Sequence, residues 1–451
     1  MERFVKPDRK WLIVTGVVLA ALVLLGIGLK GCDDAPASVA SAEEVEEVCE
    51  EDFYGCVEYL PDGPIGIGAL LWLSASADPV GIDSRRGVEL AIDYLDGEFD
   101  GVSGTVLGHE ARIEAVDDGC DQEQGRRGAE VLVETEGLLA AVGTTCSSSA
   151  QNAAAEVFSE KGIMLISPTN TAPELTDPVL REEFYARTAP NDLIQGTVVG
   201  TFGRRLAGGG RAIVITDGTT YTDSLVESFS AGLQSRKTQR VVVRPDDGPD
   251  GIRTAFERAV SRGGDPEVVY FPFTGELCSA TVEALAGLTD AKLLTSDGCL
   301  NAEVLGLARA GGTEVYVSGP DVRDLETNPF YGSEFLPAYR EQYGEKPTAI
   351  FHAHAFDAAN LIFDAFRRTA LIQEDGSIAV PRTAFREAVF SVTAYDGFSG
   401  RLTCTVNGDC QEGSLISIYR SPAWPIEGGT ANPKPVYSQA ETLAGLTEGQ
   451  D

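Results

Sequence analysis

Between residues 65 and 318 a short apolar run is followed, again and again, by a segment with apolar residues at helical spacing. Strands are expected at 65–74, 111–116, 138–142 and 162–166, with helices at 85–95, 124–134 and from Ser148. A second series gives strands at 211–216, 240–243, 268–273, 291–295 and 314–318, with helices at 222–233, 252–262, from about Cys278 and at 302–308. Parallel strands need a crossover of this length, and helices must then cover both faces of the sheet. The pattern restricts the chain to the α/β class, as two Rossmann-like lobes. Ligands of such sheets bind beyond the carboxyl ends of the strands, so a cleft between the lobes is the expected site. Two longer helices are expected at 333–343 and 353–369, and late β segments at 400–405 and 414–419. Residues 33–63, with Glu43-Glu44-Val45-Glu46-Glu47, read as an irregular acidic linker, and 421–451 as a tail.

The chain holds 69 acidic and 35 basic residues, a net charge of −34. That excludes a nucleic-acid partner, whose phosphates need a basic face, and docking on an anionic lipid surface. Residues 11–29 carry no charge and follow Arg3, Lys6, Arg9 and Lys10. This is the arrangement of an export signal or membrane anchor, assigned to 1–32, with the N-terminus in the cytoplasm. Leu29-Lys30-Gly31-Cys32 resembles a bacterial lipoprotein box, with Cys32 the residue to be lipidated. An uncleaved N-terminal helix is the alternative. Either tethers the rest of the chain to the membrane outside the cytoplasm.

Eight other cysteines suit disulfides in an oxidising compartment. Cys49 with Cys56 and Cys404 with Cys410 are near neighbours, the latter around the turn dipeptide Asn407-Gly408. Cys120 with Cys146 and Cys278 with Cys299 are the natural remaining pairs, although spacing alone does not fix connectivity. A zinc site is the rival, without a paired C-x-x-C to support it.

The strand at 138–142 ends in Gly143-Thr144-Thr145-Cys146-Ser147-Ser148-Ser149, just before the helix-like 150–158. Unpaired N–H groups and the positive end of a helix, with serine hydroxyls beside them, make a site for a carboxylate. A plain N-cap is the competing reading. Thr169-Asn170-Thr171 follows Ser167-Pro168 at another strand end, where Thr171 adds a hydroxyl to the same carboxylate, or the segment is a simple loop. Asp297, at a strand end in the second series, can pair with a ligand ammonium or cap the next helix. Tyr221 can lie over a ligand as an aromatic wall, and Trp72 reads as core. His352 and His354 point to different sides of a helix, a weak metal motif. No G-x-S-x-G, H-E-x-x-H or phosphate-binding glycine loop occurs, so neither an enzyme nor a cofactor is expected.

Several of these motifs together resemble the type I substrate-binding proteins of ABC transporters, in the branched-chain amino acid (leucine/isoleucine/valine) group. They are Asp117-Asp118-Gly119-Cys120-Asp121, Gly143-x-x-Cys146-Ser147-Ser148-Ser149, the 162–168 strand, Pro173-Glu174-Leu175-Thr176 and Arg187-Thr188-Ala189. The resemblance implies a three-strand hinge with crossings near 188, 319 and 398. Lobe 1 is then 64–188 plus 319–397, and lobe 2 is 189–318 plus 398–420. It implies a Cys120–Cys146 disulfide under the carboxylate site, which Ser147 and Thr171 form with Ser148 beside them. It implies that carbonyls near Thr169 and Asn170 help Asp297, where the family usually has glutamate, to hold the ammonium, and that Tyr221 is a pocket residue. Val80 stands where an aromatic wall is common, and Thr274 lies in 272–276, which departs from the family's aromatic stretch. Glu276 in that segment can receive a polar or basic side chain, or cap the following helix. The implied activity is capture of an amino acid or similar zwitterion by hinge closure, for delivery to a permease with a separate ATPase. A ligand-sensing module of a signalling system is the alternative, and an amidase using Ser147 a third reading.

Overall fold

In the computed structural model, which describes residues 38–74, 79–321, 325, 328–411, 416–421 and 435–440, the strand Leu138–Gly143 is buried along its whole length. A parallel strand covered by helices on both faces has no solvent side, hence its unbroken apolar run. It pairs with Ile65–Leu71 and Met164–Ser167 in a six-stranded sheet that also holds Thr105–Val106, His109–Asp117 and Tyr185–Arg187. A second sheet runs Thr238–Val242, Ala212–Thr216, Val268–Tyr270, Lys292–Thr295, Val315–Pro320, Ile416–Arg420 and Tyr437–Ser438. Its first five strands are parallel and the last two antiparallel. Each sheet with its helices is one lobe. The Cys32 and 11–29 assignments lie outside the described residues. Among the described residues no helix is long and apolar enough to cross a membrane.

Helix Asp192–Ala207 opens the second lobe, capped by Asn191, whose side chain accepts the Leu193 N–H at 2.9 Å. The sequence pattern missed it, because Gly196, Gly200 and Gly203 dilute the apolar stripe. Those glycines let it lie against Thr220–Leu233: a Cβ at Gly200 would sit 2.1 Å from the Phe229 carbonyl oxygen.

Four expectations are corrected. Residues 38–63 are not an irregular linker: Ala42–Glu51 is a helix, and Cys56–Tyr59 pairs with Ile378–Pro381. The cause is a capping box in which the Ser41 side chain accepts the Glu44 N–H and Glu44 Oε2 accepts the Ser41 N–H. Val57 and Tyr59 join the first lobe's core, and Asp52 accepts the Thr383 N–H at 2.8 Å. The third crossing is not near 398, since Leu402, Cys404 and Cys410 pack in the first lobe's core, whereas Ile416–Arg420 is a strand of the second sheet. The helix at 150–158 is interrupted, because Gln151 and Asn152 leave helical geometry (Asn152 φ is 51°) and a new helix starts at Ala155. Tyr437–Ser438 is not tail but a strand, with Tyr437 stacked on Phe202 at 5.3 Å.

Candidate ligand-binding site

A cavity of about 350 Å³ lies between the lobes, at the carboxyl ends of both sheets. On the first lobe the Thr144–Thr145 loop is held from behind. Asp118, fully buried, accepts the Thr145 N–H at 2.6 Å and the Cys120 N–H at 2.8 Å. The Thr144 carbonyl accepts from Ser167 Oγ, Thr169 Oγ1 and Asn170 Nδ2, at 2.9, 3.0 and 2.9 Å. Cys120 is joined to Cys146. These bonds present Ser147 and Ser148 to the cavity. Ser147 Oγ accepts the Ala172 N–H at 3.3 Å, and its own proton has no acceptor among the described residues. Ser148 Oγ donates to the Cys120 carbonyl at 3.2 Å. Ser149 faces away, its N–H on the Cys146 carbonyl and its hydroxyl on that of Asp118. Because Ser147–Ser149 is a single turn before the break, the donors at Ser147 and Ser148, not a long helix dipole, are what a carboxylate would meet.

On the second lobe Asp297 is 4% exposed and lines the cavity. Its Oδ1 accepts from Gln195 Nε2 at 2.5 Å and from the Tyr221 hydroxyl at 2.9 Å. Tyr221 in turn accepts the Gly298 N–H at 3.2 Å. A disulfide, Cys278–Cys299, ties the Asp297–Cys299 turn to helix Glu276–Leu285. Burial pushes the Asp297 carboxyl up, against the Gln195 and Tyr221 bonds that favour its charge. Asp192 is pushed well above the usual carboxylate range, by burial first and then by the neighbouring Asp297 charge. Asp192 Oδ1, Gln195 Oε1 and the Tyr270 hydroxyl are buried without a hydrogen-bond partner among the described residues. Two buried carboxylates short of positive charge make a setting in which an entering cation is stabilised.

Ser147, Ser148, Thr169, Tyr221, Asp297, Val80 and Thr274 all line this cavity. Asn170 and Thr171 lie behind it among the described residues. The Asn170 side chain bonds to Thr144 and Tyr185, and Thr171 Oγ1 donates to Asp192 Oδ2 at 2.9 Å. Trp72, read as core, is instead a half-buried cavity wall, and a Cβ on Gly275 of the other lobe would lie 2.9 Å from its ring. Asp217, at the end of strand Ala212–Thr216, also lines the cavity; Phe351 and Asp246 line it too and were missed, as were Asp192 and Gln195 behind it. Asn191-Asp192-Leu193-Ile194-Gln195 just after Arg187-Thr188 was the available signal: a cap and two polar residues one turn apart, starting a helix at a crossing. The two histidines are engaged elsewhere, His352 with Asp83 and Tyr331, His354 with the Thr188 carbonyl. Across the cleft Thr220 Oγ1 donates to Gln151 Oε1 at 2.7 Å.

Two α/β lobes, a triple crossing and a polar cleft at the strand ends define a hinged solute-binding fold. Residues 64–411 match the periplasmic binding protein family, and the chain belongs to it. It is 31% identical over 240 residues to an amino acid binding protein of Pseudomonas aeruginosa, a match covering 52% of this chain and 60% of that relative. It is 28% identical over 375 residues to the Leu/Ile/Val-binding protein BraC3 of Rhizobium johnstonii, covering 81% and 94%. In fold it resembles the substrate-binding protein LivJ of Streptococcus pneumoniae in complex with isoleucine, with a TM-score of 0.66, 19% identity, and coverage of 83% and 98%.

Proposed function

We propose that this chain is an extracytoplasmic solute-binding protein that captures an amino acid, or a similar small zwitterion, and hands it to a membrane permease driven by a separate ATPase. The observation that carries the reading is the pairing of Ser147 and Ser148 on one lobe with buried Asp297 on the other, around a single cavity. The serine donors take the ligand carboxylate. Asp297, held by Gln195 and Tyr221, takes the ammonium together with the Thr169 carbonyl. Thr171 acts from behind by fixing Asp192. Val80, Thr274 and Phe351 line the space for the side chain. Closing the lobes expels water, which strengthens both ionic contacts. No bond is made or broken. The N-terminal segment tethers the protein at the outer face of the membrane, through lipidated Cys32 or as an uncleaved helix.

Calorimetric titration of the full-length protein in mild detergent against the proteinogenic amino acids tests this, with Asp297→Asn in parallel. One or a few amino acids should bind. The variant should lose about 2–5 kcal/mol, roughly 30-fold or more in affinity, as when one partner of a buried charge pair is removed. Absence of binding across the set, or an indifferent variant, would overturn the proposal.

A further inference from the structure

The cavity is lopsided in charge. Besides Asp297, the second lobe contributes Asp217, Asp246 and Glu276 to its lining, and no Lys, Arg or His lines it among the described residues. Each of the three stands near a helix start: Asp217 before Thr220–Leu233, Asp246 before Gly248–Gly263, and Glu276 as first residue of Glu276–Leu285. A carboxylate there offsets the positive helix end, which explains part of the pattern. It does not explain all of it. A helix end carries only about half a charge, so three carboxylates leave the wall negative by roughly one and a half charges. Asp217 Oδ1 is occupied by the Thr219 N–H and by the hydroxyls of Thr219 and Thr222. Asp246 and Glu276 have no side-chain hydrogen bond or ion pair among the described residues.

Two further features point to what fills the space. Ser147 is 2% exposed and lines the cavity, and its hydroxyl donates to no acceptor among the described residues, which leaves it free to donate to the ligand's acidic end. Trp72 rests its ring edge on Gly275, the residue before Glu276. An indole beside carboxylates is suited to an ammonium or guanidinium group, which gains from the ring face and from the negative charge together.

We propose, building on the zwitterion reading above, that the preferred ligand is an α-amino acid with a positively charged side chain. Its side-chain cation lies between Trp72 and the Asp217, Asp246 and Glu276 carboxylates, and its backbone groups on Ser147, Ser148 and Asp297. Glu276 is the specificity-determining residue. It is exposed at the cavity mouth, where a cation reaches it without the full cost of burial.

The test is titration of the full-length protein with lysine, arginine, norleucine and Nε-acetyl-lysine, the last two keeping the chain length without the charge. Lysine or arginine should bind at least about tenfold more tightly than either neutral compound, the size of a hydrogen-bonded charge contact. Raising the ionic strength from roughly 0.05 to 0.5 M should shrink that ratio, because partly exposed charges are screened. Glu276→Gln, and Asp246→Asn separately, should lower it by about three- to tenfold. Equal or tighter binding of norleucine, or a ratio that neither variant moves, would overturn the inference. If neutral amino acids bind and are lost with Asp297→Asn, the zwitterion site stands while the cationic preference falls. If no amino acid binds at all, both fall together.

Discussion

Raising the pH from about 4 to about 8 forces Asp118 to give up its proton inside the fold. Its side chain is fully buried, and burial pushes the carboxyl from 3.8 up to about 7, helped by neighbouring Asp117 and opposed by the N–H groups of Cys120, Thr145 and Cys146. In the unfolded chain the same group ionises near 3.8. Between those values the folded state holds a proton that the unfolded state has lost, so stability falls as pH rises. The contribution is complete below about 3.8 and gone above about 7. Each pH unit between the two values is worth about 1.4 kcal/mol, so the interval amounts to about 4 kcal/mol. That is a large part of the ~5–15 kcal/mol of a typical domain. Asp118→Asn fixes the group as neutral. Urea unfolding of wild type and variant across this range gives a stability difference that moves in the variant's favour by about 4 kcal/mol from pH 4 to pH 8. The offset from exchanging an acceptor oxygen for an amide is constant with pH and drops out. So do the repulsion of the acidic surface and the titration of buried Asp357, which are common to both proteins. Stability curves that stay parallel over the whole range would refute the reasoning.

Three further outcomes are expected. Replacing Cys278 and Cys299 together with serine should cost about 2–4 kcal/mol in unfolding and weaken ligand binding, because the Asp297 turn loses its brace; unchanged affinity would show that Gln195 and Tyr221 hold Asp297 alone. Arg187→Met should lower stability by about 3–5 kcal/mol, read from the urea midpoint, since the buried guanidinium joins Asp409, the Ala172 carbonyl and Thr176. Gly275→Ala should weaken ligand binding in calorimetry by about 1–3 kcal/mol, because φ is +58° and the new methyl meets Trp72.

The alternation of strands and helices was legible because parallel strands buried on both faces must be written as apolar runs. Leu138–Gly143 and Ala212–Thr216 are such strands. The site was legible where chemistry sits at strand ends in small polar clusters, as at Ser147 and Asp297. It was not legible where function comes from contacts between distant residues. Gln195 reaches Asp297 across 102 positions, and nothing local marks it. The break at Gln151 has no glycine or proline to announce it. It is held by the Gln122 side chain and by Arg126, whose Nη2 donates to the Asn152 carbonyl at 2.7 Å. Residues 42–51 were misread because five consecutive residues, Glu43 to Glu47, include four glutamates, which masked the Ser41–Glu44 cap.

The placement of Trp72 has a practical side. Among the described residues Trp72 is the one tryptophan, and it stands at the cleft. Its ring touches the opposite lobe at Gly275, so parting the lobes hydrates the indole and meeting them dries it. The molecule therefore carries its own fluorescent gauge, and rapid mixing can time each capture event without any dye attached.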